Sequence, residues 1–123
     1  MNFAKNVFKV AGIYGLLVLI PHYFLEKQLG IDFPPPITHP EHFYGFIGVA
    51  LAWQFVFLLI ARDPARYRLI MIPAILEKLA FGVPAIILYA QGRVAGMVLV
   101  PAVIDLVLAA LFFVSFRATA PTE

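Results

Sequence analysis

The sequence predicts an all-α fold: a four-helix transmembrane bundle whose helices run up, down, up and down, with both the N and the C terminus in the cytoplasm. Of its 123 residues, 63% are hydrophobic and 13% are charged, whereas soluble domains average about 45–50% apolar and about 25% charged residues. The apolar residues form four blocks, each close to the roughly 20 residues that a helix needs to cross a bilayer. Six lysines and arginines fall on the side of the two termini and two on the other side, and the positive-inside rule then assigns the termini to the cytoplasm.

One integral membrane domain, residues 1–123, accounts for the chain because the connections between the apolar blocks are short. The first block follows two lysines, as in a signal peptide, but no small-x-small cleavage pattern ends it, so we expect a retained helix. The tail, residues 118–123, is small and polar and is expected to be disordered. The four predicted helices cover residues 6–28, 39–61, 64–90 and 94–117.

The connections carry helix start signals. Three consecutive prolines, residues 34–36, favour a stiff extended path before the second helix. Thr38 followed by Glu41 three positions later predicts a capping box at the start of that helix. Asp63 followed by Pro64 predicts the N-cap and first position of the third helix. The resulting tight turn predicts that the second and third helices are antiparallel neighbours.

Three ionisable residues interrupt the apolar segments at mid-length: Glu77 and Lys78 in the third helix, and Asp105 in the fourth. A charge at the bilayer centre costs at least about 2.5–3.5 kcal/mol, so such residues usually face a bundle interior and pair with one another. Neighbouring helix positions point about 100° apart, so we expect Lys78 to reach Asp105 and Glu77 to face Gln54 and Trp53 on the second helix. Two interpretations stay open: an ion pair that only locks the bundle, or a pocket whose unpaired acid binds a proton or a cation.

The positions of three prolines favour the second interpretation, a pocket. Pro73 and Pro84 bracket the acid of the third helix, and Pro101 precedes that of the fourth by one turn. An interior proline frees a backbone carbonyl, which in a membrane must be satisfied internally or line a wet cavity. The sequence therefore predicts a polar-centred ligand site at the midplane, with Glu77 as anchor and with these further residues: Asp105, Lys78, Gln54, Trp53 and Tyr14.

The histidines are weak metal candidates. His39 and His42 are spaced to share a helix face, and His22 lies on the same predicted side. Imidazoles with a carboxylate can ligate zinc, but hydrogen bonding to headgroups and acid–base catalysis are alternatives. We therefore predict no metal and no cofactor. The chain has no cysteine, which excludes thiol chemistry, and its basic residues sit at helix ends, which argues against nucleic acid as a partner.

The predicted arrangement of helices and turns resembles that of small, uncharacterised bacterial four-helix membrane proteins of the DoxX-like group. Two stretches carry the resemblance: His39-Pro40-Glu41-His42-Phe43-Tyr44-Gly45-Phe46 and Arg62-Asp63-Pro64-Ala65-Arg66-Tyr67-Arg68. This resemblance covers most of the chain and implies a bacterial inner, cytoplasmic membrane. It implies little about activity.

A second likeness is to the emopamil-binding, sterol-isomerase-like (EXPERA) family, in Trp53-Gln54-Phe55-Val56-Phe57 and Ile72-Pro73-Ala74-Ile75. With Glu77 and Asp105 as acids at pocket depth, it implies a lipophilic ligand; the spacing and loops depart from that family, and the isomerase activity is not carried over. Small multidrug exporters are similar in size, but they depend on an acid in the first helix, where this chain offers Tyr14.

Two functions of different classes follow from these patterns. The first is binding of a lipophilic or lipid-like small molecule in the midplane pocket. The alternative is a structural or assembly subunit whose buried charges only hold helices together. Membrane lipids and a second copy of the chain are the expected partners, and the patterns leave enzymatic activity open.

Overall fold

A computed structural model describes residues 2–121, which fold into five α-helices and two short 3₁₀ turns. The turns, Arg68–Ile70 and Gly96–Val98, lead directly into the last two helices. Four segments are long and apolar enough to cross a membrane: Asn2–His22, Pro40–Arg62, Arg68–Ala90 and Gly96–Ala118. The predicted all-helical class and the four membrane-length helices are thus confirmed. The α-helices are α1 (Asn2–His22), α2 (Glu26–Asp32), α3 (Pro40–Arg62), α4 (Met71–Ala90) and α5 (Leu99–Ala118).

The first predicted helix, 6–28, is in fact two helices. α1 begins at Asn2 and ends at His22, where tight i to i+3 hydrogen bonds, such as that from the Phe24 N–H to the Pro21 carbonyl, close its last turn. The seven-residue α2 then begins at Glu26 and buries none of its side chains. The Glu26 carboxylate accepts a 2.9 Å hydrogen bond from the Tyr44 hydroxyl of α3. A polar contact, rather than the burial of apolar side chains, therefore connects α2 to the rest of the fold. Hydrophobic patterning could not reveal such a contact.

The predicted caps are wrong in detail. The N-cap of α3 is His39, without a side-chain capping hydrogen bond, and Glu41 lies 3.2 Å from the His39 ring instead of completing a box with Thr38. Asp63 is the C-cap of α3, and its carboxylate accepts a 3.3 Å hydrogen bond from the Arg66 N–H. This bond stabilises a turn over residues 64–67, so the next helical segment begins at 68 rather than at 64.

The helices pack as two pairs. α1 packs closely on α3, and α4 on α5, whereas α3 and α4 touch each other sparsely. Glycines allow the close approaches: a side chain at Gly12 would lie 2.8 Å from Leu58, and one at Gly82 would lie 2.8 Å from Leu106. The expected neighbour relation between α3 and α4 is therefore weak: the two helices touch, but each packs mainly on another helix. The two pairs meet chiefly where α1 contacts α5.

An aromatic cluster joins three of the helices. Phe8, Phe57 and Phe112 are fully buried; the rings of Phe8 and Phe112 stack at 4.2 Å, and Phe57 meets Phe112 edge-on at 5.0 Å. Thr119 is also buried and donates to the Ser115 carbonyl at 2.8 Å. The first residue after α5 is therefore packed against the fold. The disorder expected of the rest of the tail stays a prediction, and residues 122 and 123 lie outside the described part of the chain.

Candidate functional site

A small inner cavity of about 180 Å³ lies among the four long helices. Five of the six predicted site residues line it, and the sixth, Trp53, lines a neighbouring groove. His22 and Gly15 of α1 also form part of its wall. Sequence reasoning did not assign either to this pocket, and neither carries a sequence signal for it. The five predicted residues at the inner cavity are Tyr14, Gln54, Glu77, Lys78 and Asp105.

Lys78 is the centre of a charged cluster. Its ammonium group is almost completely buried and donates a 3.4 Å hydrogen bond to the Asp105 carboxylate, which joins α4 to α5 as expected. The same nitrogen lies 3.8 Å from Glu77 Oε2. Glu77 therefore does not turn wholly away from its neighbour, because the long lysine side chain reaches back towards it. With all three groups ionised, the cluster carries one net negative charge.

Two buried oxygens at this cavity lack a hydrogen-bond partner among residues 2–121: Glu77 Oε2 and Gln54 Oε1. The amide nitrogen of Gln54 donates to the Ala50 carbonyl at 2.8 Å, and its side chain lies directly against Gly15. Buried acceptors are usually paired, and an unpaired one costs about 1–3 kcal/mol. The site can therefore accept hydrogen bonds from a donor that enters it.

An open groove of about 810 Å³ lies between α3 and α4, which touch each other sparsely. Its lining is mainly apolar, and Glu41 and His42 lie at the end where α3 begins. Glu77 lines both the groove and the inner cavity. A large apolar surface and a polar centre thus meet at one carboxylate. The apolar residues of the groove include Val49, Trp53, Pro73, Leu76 and Ala80.

Two phenylalanines stand between the groove and the inner cavity. Phe46 of α3 and Phe81 of α4 line both spaces, and their rings stack with centroids 6.0 Å apart. This contact bridges the two helices that otherwise touch sparsely. We name the pair the aromatic partition. Sequence reasoning missed it, because among 12 phenylalanines nothing in the sequence distinguishes these two.

The prolines near the central acids disturb their helices less than the sequence suggests. Pro73 and Pro101 lie at the third positions of α4 and α5, so of the three prolines near the central acids Pro84 alone is interior to its helix. Proline is tolerated better in the first turn of a helix than in its interior. Pro73 lines the groove and Pro101 the inner cavity. They therefore shape these walls.

The three histidines do not form one group. His22 Nδ1 pairs with the Val18 carbonyl at 2.7 Å, at the inner cavity. His39 and His42 lie instead at the exposed start of α3, with their rings stacked at 5.2 Å, beside Glu41. The predicted set is therefore divided between two places, and a carboxylate joins the exposed pair.

The resemblances to the DoxX-like group and to the EXPERA family stay predictions, since no comparison bears on them. Comparisons of the chain with protein-family models, with curated proteins and with solved structures found no match.

Proposed function

We propose that the protein is an integral membrane protein that binds a lipophilic or lipid-like small molecule at a polar-centred site near the bilayer midplane. Glu77 Oε2 carries the proposal: it is buried, it has the Lys78 ammonium 3.8 Å away but no hydrogen-bond partner in the described chain, and it belongs to a residue in the wall of both the apolar groove and the inner cavity. An amphiphile could lay its apolar part in the groove and bring a donor to this oxygen.

The sizes of the two spaces support an amphiphile. The groove, at about 810 Å³, falls within the range of about 300–1,000 Å³ that is typical of small-molecule sites. The inner cavity, at about 180 Å³, suits only a small polar head. In this proposal the opposite charges of Asp105 and Lys78 neutralise each other, and Gln54 Oε1 offers the second hydrogen-bond acceptor.

The proposed membrane arrangement has the helices alternating in direction, with both termini and the basic turn 62–68 in the cytoplasm. The supporting feature is the excess of lysine and arginine on that side. A bacterial inner membrane is the proposed location. α2 and the start of α3 would then face the opposite side, together with the end of the groove that Glu41 lines.

Native mass spectrometry of the protein, extracted in a mild detergent, tests this function. We expect a bound lipid or small molecule on the wild type, its loss from Glu77→Gln, and its retention by Asp32→Asn, an exposed acid outside both spaces. Ala80→Trp should also displace the molecule, because it fills the groove without changing a charge. Bare wild-type protein, or binding that persists in both Glu77→Gln and Asp105→Asn, would contradict the proposal.

A structural or assembly subunit is the second candidate. The Lys78–Asp105 pair favours it, since this pair ties α4 to α5 whether or not a ligand binds. In that case the buried charges would serve helix association, within one chain or with a second copy. The same spectra distinguish the two functions: a subunit would carry no ligand, and its oligomeric state would shift in Glu77→Gln.

A further inference from the structure

We propose that His39, Glu41 and His42 form a binding site for a divalent transition-metal ion, with Zn²⁺ as the preferred ion. Their ligand atoms, two imidazole nitrogens and one carboxylate oxygen, all lie within 4.8 Å of one another. The site is at the start of α3, away from the Glu77 cluster. The proposal is therefore independent of the ligand proposed for the inner cavity.

The donor set matches zinc chemistry. Two histidines and one glutamate leave one position of a tetrahedral ion open for water or another ligand, and imidazole nitrogen suits zinc, copper and nickel. Neutral imidazoles add no charge, while the carboxylate neutralises part of the charge of the ion. That carboxylate also offsets the positive end of the α3 helix dipole.

The geometry needs little adjustment. In a tetrahedral site with bonds of about 2.0–2.1 Å, ligand atoms lie about 3.3 Å apart, and His39 Nδ1 lies 3.2 Å from Glu41 Oε1. The ligand atoms of all three residues lie within 4.8 Å of one another, and the exposed side chains are free to rotate by the small amount that brings the third ligand in. Pro40 restricts the backbone between the ligands, which reduces the entropy lost on binding.

Access also favours the site. The side chains of His39 and Glu41 are 70% and 64% exposed, so an ion can reach them without any opening of the fold. Glu41 and His42 lie at the end of the groove between α3 and α4. A bound ion would therefore sit at the mouth of that groove, with its open position available to water or to an anionic oxygen.

His22 provides a matched control. It is the remaining histidine of the chain, but its Nδ1 is engaged by the Val18 carbonyl at the inner cavity. If any histidine of the chain bound metal non-specifically, replacing His22 would weaken binding as much as replacing His39 or His42. In the structure, however, His22 lies at the inner cavity, apart from His39 and His42 at the start of α3.

The test is isothermal titration of the purified protein with ZnCl₂ in detergent, after removal of any tag that contains histidine. We expect one Zn²⁺ per chain, at least about tenfold weaker binding for Glu41→Gln, and no measurable binding for the double variant His39→Ala/His42→Ala. Because all three residues are exposed, these variants should keep the helical circular dichroism of the wild type. His22→Ala should bind zinc as the wild type does.

Absorption bands of Co²⁺, which substitutes for zinc, give a second readout of the coordination. Bands typical of tetrahedral coordination should form in the wild type and in His22→Ala and disappear in the double variant. A wild type that binds neither ion, or a double variant that binds Zn²⁺ as tightly as the wild type, would overturn the proposal.

Discussion

Replacing Lys78 by methionine should leave two carboxylates without their counter-charge. At an effective dielectric constant of about 20, charges 3.4 Å and 3.8 Å apart attract by about 5 and about 4 kcal/mol. Desolvation of the ammonium offsets a large part of this attraction. Breaking a buried pair by removing one partner typically costs about 3–5 kcal/mol, and we expect Lys78→Met to lower the free energy of unfolding by that amount.

The assay is unfolding by sodium dodecyl sulfate in mixed micelles, followed through the fluorescence of Trp53, the single tryptophan of the chain. Lys27→Met, at an exposed lysine of α2, is the control and should unfold like the wild type. The double variant Lys78→Met/Asp105→Leu should recover part of the loss, because only one carboxylate, that of Glu77, is then left without its counter-charge. A single variant Lys78→Met within about 0.5 kcal/mol of the wild type would refute the electrostatic reasoning.

Two further perturbations probe the walls of the inner cavity. Gly15→Ala should destabilise the fold by about 1–3 kcal/mol in the same assay, because a Cβ there overlaps the glutamine side chain that lies against it. Gly45→Ala has open space around it and should leave the fold as stable or more stable by up to about 1 kcal/mol, because alanine favours a helix over glycine; equal effects of the two changes would argue against this packing. Phe46→Ala should remove half of the aromatic partition and speed the modification of Glu77 by dicyclohexylcarbodiimide, measured by mass spectrometry of the digested protein. Phe55→Ala, an exposed position outside both spaces, should leave that rate unchanged, and an unchanged rate in Phe46→Ala would show that the partition does not limit access.

The sequence was a good guide to the helices and to the polar centre. Long apolar blocks admit few structures other than helices of membrane length, and the high cost of isolated charges in such blocks made an association of Lys78 with Asp105 the natural expectation. The hydrogen bond between these two residues agrees with that expectation. Their membership of a ligand site remains a prediction.

Helix ends and helix pairing were harder to predict. Several polar residues near each helix end could act as its cap. α3 begins after His39 rather than after Thr38, and the His39 carbonyl accepts the first backbone hydrogen bonds of the helix. In apolar helices the exposed and the packed faces have similar composition, so hydrophobic periodicity says little about which neighbour a face contacts. The separation of α3 from α4, and the groove between them, therefore could not be read from the sequence.

The pairing of α1 with α3 and of α4 with α5 has a consequence for biosynthesis. For a chain that enters a membrane as it is synthesised, each half would form a packed hairpin of its own on either side of the Asp63 turn. The first hairpin contains none of the three central charges. The second contains both Lys78 and Asp105, so the ammonium group can enter the lipid phase already neutralised by the carboxylate of its own hairpin.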